Sequence, residues 1–258
     1  MSAAGVGLDD IVARIAALSE PGFVEPARAY AVAQRQGFTR VFSGEDKVEP
    51  DRVRAHGAGN VVATGFQASS RKLDAVRIVG DRNLVFFGPH ANINSAEVAI
   101  EGSDNLVYFG AFATAGQVGV RVEGQGLTAA IGDRSMLSNR IFLGKPDRRA
   151  LFSRATGQRL DPPGDVRIGP HCWIGRDVLI EPGTTIGRDS IVGQCAVVRG
   201  VFPEAAILIG SPARVARDGI TWARTWEDTY AETLGTKHYK LLYLRNAERL
   251  RERIAALS

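Results

Sequence analysis

Four histidines, two cysteines and three tryptophans in 258 residues leave few places where side-chain chemistry can concentrate. The densest is His171-Cys172-Trp173, an imidazole, a thiol and an indole in consecutive positions. Imidazole titrates near neutrality, which suits a general base. A zinc hydrolyase of the three-histidine kind needs three imidazoles converging on one ion. His56, His90, His171 and His238 lack any common spacing, so no metal is expected. Cys172 and Cys195 form neither a metal-ligand spacing nor a disulfide framework and read as reduced packing residues.

The elements that position these residues follow from a repeat. Apolar β-branched residues recur every six positions at Ile168, Ile174, Ile180, Ile186, Val192 and Val198. Glycine follows four of them, at Gly169, Gly175, Gly187 and Gly193. Two positions before each lies another small or branched residue: Val166, Cys172, Val178, Thr184, Ser190 and Ala196. Neither the 3.6-residue period of a helix nor the simple alternation of a hairpin produces this. A period of six fits one side of a triangular coil, with inward residues two apart and a permissive corner. Cys172 and Ile174 then face inward, and His171 and Trp173 outward. An exposed tryptophan on such a wall calls for a cover, whether subunit, cofactor or sugar.

A longer repeat lies upstream. Gly80-Asp-Arg-Asn-Leu-Val-Phe-Phe-Gly88 recurs 22 residues later as Gly102-Ser-Asp-Asn-Leu-Val-Tyr-Phe-Gly110, and Gly124 and Gly132 continue it. Asn60-Val-Val-Ala-Thr-Gly65 is a weaker copy. These predict coils of 18 residues with a few extra at one corner, giving a solenoid over 51–217. Leu8, Ile11, Val12, Ile15 and Leu18 form a helical stripe, so 1–50 is expected as an N-terminal helical cap. Trp226, Tyr230, Leu234 and later apolar residues predict a C-terminal helical segment over 218–258. Solenoid ends need such covers because they otherwise expose unpaired strand edges.

Composition narrows the partners. A formal charge of +4 with scattered basic residues does not describe a nucleic-acid binder. Asp9 and Asp10 and the lack of a basic, then apolar, N-terminus argue against a signal peptide, and no run of apolar residues is long enough to span a membrane. The expectation is a cytoplasmic protein.

The stretch Leu160-Asp-Pro-Pro-Gly-Asp-Val-Arg-Ile-Gly-Pro-His171-Cys-Trp173-Ile-Gly-Arg176 is followed by Pro182-Gly-Thr-Thr-Ile-Gly187, Phe202-Pro203 and Gly210-Ser-Pro-Ala-Arg214-Val. From about 131 to 222 the chain resembles the hexapeptide-repeat acyltransferases, in particular the galactoside, maltose and polysaccharide O-acetyltransferases. The resemblance implies a mainly β fold, a left-handed parallel β-helix, assembled as a homotrimer with active sites in grooves between subunits. It further implies acetyl-coenzyme A as acyl donor, a sugar or polysaccharide hydroxyl as acceptor, and Trp173 lining the groove. By the same resemblance Arg176, Gln194, Arg199, Arg214 and Arg217 lie along the coenzyme path.

The family's histidine base stands about 24 residues before that tryptophan. Counting back from Trp173 gives Arg149, two residues after an aspartate, Asp147, and no histidine occurs between His90 and His171. Arginine stays protonated and cannot be a base. Three readings remain open. His171 supplies the base; or Asp147 does, with Arg149 gripping an anionic acceptor through its two-pronged guanidinium; or catalysis is lost and the protein is a binding or scaffolding trimer. A nucleotidyltransferase with a solenoid tail is set aside, because no glycine-rich nucleotide loop precedes the coils.

Overall fold

In the computed structural model, residues 30–35, 38–43, 52–65, 68–145, 147 and 149–224 are described. They form β-strands, turns and loops, with no α-helix among the described residues. The strands stack as three walls of a parallel β-solenoid.

The first wall runs through Asn60–Thr64, Leu84–Phe87, Leu106–Phe109, Thr128–Ile131, Val166–Ile168, Thr184–Ile186 and Val201–Phe202, each parallel to the next. The second and third walls begin fused. Single long strands, Ser69–Val79, Asn92–Glu101 and Thr114–Glu123, run round both. Their N-terminal ends lead down the second wall to Met136–Leu137, Trp173–Ile174, Ile191–Val192 and Ile207–Gly210. Their C-terminal ends lead down the third wall to Ile141–Leu143, Leu179–Ile180 and Val197–Val198.

The six-residue period is realised as packing. All twelve positions singled out between Val166 and Val198 are at most 3% exposed. Burying an isoleucine or valine side chain contributes roughly 1.5–3 kcal/mol, so this column dominates the stability of the lower coils. The two hydroxyls among the twelve are satisfied. Thr184 Oγ1 donates to the Val198 carbonyl at 3.2 Å and Ser190 Oγ to the Pro203 carbonyl at 3.2 Å.

The upper coils are held differently. Asn60, Asn83 and Asn105 are fully buried and form a ladder: the Asn83 amide donates to Asn60 Oδ1 and the Asn105 amide to Asn83 Oδ1, each at 3.0 Å, while the Asn60 amide donates to the Gly80 carbonyl at 2.8 Å. Beside them Gly80 and Gly102 have φ of 126° and 122°, and a Cβ on either would lie 2.0 or 1.8 Å from the carbonyl oxygen of the glycine one coil below. Only glycine fits there.

At the top, a hairpin stands where a helical cap was expected. Tyr30–Arg35 pairs antiparallel with Phe38–Ser43, which continues the first wall by pairing parallel with Asn60–Thr64. At the bottom, Ala213–Arg217 folds back antiparallel on Ile207–Gly210 and ends the second wall. The expected helices at 8–18 and beyond 224 lie outside the described residues. The chain divides into two compact units, 1–220 and 221–258. In the second, the Arg224 guanidinium lies 6.0 Å from the Trp222 ring centroid.

Candidate functional site

Trp173 projects from the second wall and is 39% exposed. Met136 lies in register above it and Ile191 and Ile207 below, so the outer face of this wall is an apolar strip over these four coils. Two corners border the strip.

The corner joining the first wall to the second is built from residues with left-handed backbone: His90, Phe112, Arg134, His171, Asp189 and Ala205, with φ between 54° and 62°. Non-glycine residues are uncommon in this conformation, and Asp, Asn and His are enriched among those that adopt it. The corner residues stack coil on coil. His171 Nδ1 and Asp189 Oδ1 are 2.7 Å apart, and Arg188 Nε lies 3.2 Å from the other carboxylate oxygen. Partial burial pushes the Asp189 carboxyl up, but hydrogen bonding and charge from His171, with help from Arg188, outweigh it and the net shift is downward. An ionised Asp189 accepts from Nδ1–H, which makes Nε2 the basic nitrogen of the neutral ring. His171 is thus turned into the corner, with 12% of its side chain exposed, rather than standing out on the wall as Trp173 does. His90, on the same corner, is three coil steps away and stacks on Phe112 with ring centroids 4.6 Å apart.

The corner joining the second wall to the third carries Arg176 and, one coil below, Gln194, both exposed. They are linked through the backbone, with the N–H of Cys195 donating to the Arg176 carbonyl at 2.9 Å. Above them Arg140 forms a two-pronged pair with Asp177, at 2.5 and 2.6 Å. Arg214 and Arg217 follow on the terminal strand of the second wall, opposite Ile209 and Ile207. Arg199 is elsewhere: it follows Val197–Val198 and sits at the corner leading back to the first wall. Four of the five expected coenzyme residues therefore border one wall.

Asp147 and Arg149 sit on the long loop 144–165, which leaves the solenoid where the third wall turns to the first. That corner is the one the second wall does not touch. Within one chain the loop pair and the His171–Trp173 pair are therefore on different sides of the prism. Arg149 closes on Asp147, its N–H donating at 3.0 Å and its guanidinium lying 2.9 Å from both oxygens. These bonds, the backbone N–H first, hold the Asp147 carboxyl below its ordinary range. A carboxylate so engaged is a weak proton acceptor.

Burial pushes the Cys172 thiol up to about 12, which leaves it unreactive at neutral pH. Cys195 is exposed at a corner with φ 61°. No group of three potential metal ligands occurs among the described residues, and no helix there is long and apolar enough to cross a membrane. Asp189 is the site residue that reading the sequence missed. The signal was present, since Asp189 lies one 18-residue coil after His171.

Residues 165–200 match the family described as bacterial transferase hexapeptide (six repeats). Among curated proteins, the chain is 45% identical over 67 residues to a probable acetyltransferase of Mycobacterium tuberculosis, covering 26% of this chain and 21% of that protein. It is 37% identical over 82 residues to the putative lipopolysaccharide biosynthesis O-acetyl transferase WbbJ of Escherichia coli, covering 32% and 37%. It is 34% identical over 94 residues to the Escherichia coli galactoside O-acetyltransferase, covering 35% and 44%. The chain thus spans between about a fifth and less than half of the length of these relatives. Two solved structures share the fold. The polysialic acid O-acetyltransferase OatWY superposes with a TM-score of 0.59 at 21% identity, covering 73% of this chain and 92% of that one. The polySia specific acetyltransferase NeuO gives 0.52 at 20% identity, covering 80% and 100%.

Proposed function

Starting from the hexapeptide-repeat transferase segment at 165–200, we propose that the chain is an O-acyltransferase that moves an acetyl group from acetyl-coenzyme A to a hydroxyl of a sugar or polysaccharide. One observation carries the reading: on a single wall, exposed Trp173 stands between an oriented imidazole and a corner bearing Arg176 and Gln194. The residues present fit the coenzyme. The exposed guanidinium groups of Arg176, Arg214 and Arg217 offer forked donors to phosphates, and the flat strip of the second wall suits a thin pantetheine chain. The coenzyme, when bound, supplies an acetyl thioester.

In this reading His171 takes the proton from the acceptor hydroxyl at Nε2, Asp189 fixes its tautomer and stabilises the imidazolium, and Trp173 excludes water from one side. The Asp147–Arg149 loop reaches a second wall only in another copy of the chain. That supports a homotrimer whose grooves combine one copy's His171 and Trp173 with the next copy's loop, and gives Arg199 the same route to the site. The names of the relatives support the acetyl group and the sugar acceptor.

The closed Asp147–Arg149 pair favours a second reading, a catalytically degenerate trimer that serves as a binding or scaffolding module. The two separate on one experiment, incubation with acetyl-coenzyme A and a panel of glycans while following thiol release. Turnover that falls roughly 10²–10⁴-fold in His171→Ala establishes the transferase with this base. Coenzyme binding without turnover, in folded protein and across the panel, establishes the degenerate module. Turnover unaffected by His171→Ala removes His171 as the base.

A further inference from the structure

A second charged concavity lies on the far side of the prism from Trp173. It opens between the coil edge and the loop 144–165, where the third wall turns to the first. Arg121 and Glu123 reach it from the end of the strand Thr114–Glu123, Lys145 from the root of the loop, and Arg159 and Asp161 from its return. Pro163 is among the residues that form its flank. Among these lining residues three cations stand against two carboxylates, one positive charge in excess.

The concavity is built rather than incidental. Asp161 ties its sides together, accepting from the Leu151 N–H at 2.8 Å, from Lys145, and from Arg159 Nε at 3.3 Å. Lys145 also donates to the Arg149 carbonyl. The returning chain is fixed where the Thr128 N–H donates to Asp165 at 2.8 Å, and two consecutive prolines stiffen it. These ties, Lys145 first, hold Asp161 well below the ordinary carboxylate range, so it stays ionised across physiological pH.

Arg121, one of the lining residues, links the concavity to an aromatic ring outside it. The Arg121 guanidinium lies 5.9 Å from the Phe142 ring centroid, and the ring packs so closely on Gly119 that a Cβ there would be 2.8 Å from it. Phe142 is held flat on the outer third wall, half-buried, beside a cation. A sugar ring lays its C–H face on such a surface, while a charged substituent turns toward the cations.

We propose that this concavity seats the carboxylate of an acidic sugar, with the sugar ring outside it against Phe142. One excess positive charge matches a monoanion, whereas a phosphate dianion would leave charge uncompensated in a partly desolvated cleft. The subsite names an acidic glycan as the acceptor class. It rests on the transferase reading for the word acceptor and on the homotrimer proposed with it, which brings one copy's loop to the next copy's Trp173.

The test is calorimetric titration of the full chain at low salt with an oligosaccharide of glucuronic acid, a neutral glucose oligosaccharide of equal length, and inorganic phosphate. The acidic oligosaccharide binds at least ten-fold more tightly than the neutral one. Arg159→Gln and Phe142→Ala each weaken it five-fold or more, and Arg154→Gln, an exposed arginine of the same loop, leaves it unchanged. Arg159→Lys keeps most of the affinity, which separates lost charge from a disturbed loop. Equal affinity for the acidic and neutral sugars overturns the proposal. So does equal weakening by Arg154→Gln, which means diffuse attraction, and so does full competition by phosphate with no effect of Phe142→Ala, which means a bare anion site. No thioester is present, so a negative result leaves the transferase reading standing, and an absence of turnover leaves this result readable.

Discussion

The upper and lower coils solve the same stacking problem in opposite ways. Above residue 132 each turn takes 22 or 23 residues, and one strand of ten or eleven residues covers two walls without a break. Both faces of the first wall are buried there: Val85, Phe87, Val107 and Phe109 inward, and Leu84, Phe86, Leu106 and Tyr108 on the other side. Phe87 and Phe109 stack in the core with centroids 4.6 Å apart, and the asparagine ladder satisfies one corner. From Val166 to Val198 each turn takes 18 residues, strands shrink to two or three, and a corner falls every six positions, before a last turn of 16. Long strands bury more and present less. Short strands bring two corners within three residues of the same wall position, which is how His171 and Arg176 come to flank Trp173. The upper coils are a scaffold, and the lower coils trade continuity for sites where side chains meet.

Glycine substitutions break the contrast most severely. Gly102→Ala places a methyl 1.8 Å from the Gly124 carbonyl at φ 122°, and is expected to cost roughly 3 kcal/mol or more, measured by chemical denaturation. Gly183→Ala, in the lower coils at φ 79° with nothing within 4 Å, should cost only about 1 kcal/mol. Equal losses would mean that the close approach to the next coil is not what makes the Gly102 substitution costly.

A smaller effect sharpens the account of the ladder. Asn83→Ala removes the amide that donates to Asn60 and the oxygen that accepts from Asn105, leaving buried polar groups on both sides. The expected loss is about 2–3 kcal/mol. Hydrogen exchange should speed up at the coils on both sides while residues 166–198 keep their protection. Loss of protection throughout would show that the halves unfold as one unit.

The smallest effect uses pH. His90 and His171 share one corner, but burial lowers the His90 imidazole to about 4, while His171 has a carboxylate beside it. A lowered histidine stabilises the fold above the unfolded value of about 6.5, and the contribution fades as pH falls toward 4, because only the unfolded chain takes up the proton in that window. His90→Phe should flatten this slope by on the order of 1–2 kcal/mol after solvent screening. Phe112 occupies the next step of the same corner with φ 57°, so the replacement has a structural precedent. An unchanged slope in the variant would assign the acid sensitivity elsewhere.

How much of this the sequence revealed differs by region for the same reason. In 166–198 every inward position has a neighbour two residues away and a copy six residues away, so the period writes the core directly. Upstream, the recurrence of Asn83 and Asn105 was plain, but a buried amide ladder cannot be told from two surface turns by spacing, because its stability lies in contacts across coils. The hairpin at 30–43 was hidden by the apolar stripe at 8–18, which drew the whole of 1–50 into a helical reading. Phe38–Ser43 pairs with a strand 22 residues on, a contact that local pattern does not carry. Asp189 was missed because a corner residue looks like any turn aspartate until the coil length places it under His171.

The loop 144–165 has one further consequence. Ile131 pairs with Ile168, Leu137 with Ile174 and Leu143 with Ile180, a step of 37 residues on every wall where 18 would complete a turn. The excursion therefore adds length without twisting or slipping the stack, as a graft adds a branch without bending the trunk. Such a segment is exchangeable: it can be pruned, or replaced by one from another coil protein, with the prism beneath it unaltered. If the loop seats the acceptor as proposed, recognition of different acceptors can then diversify by swapping a single excursion.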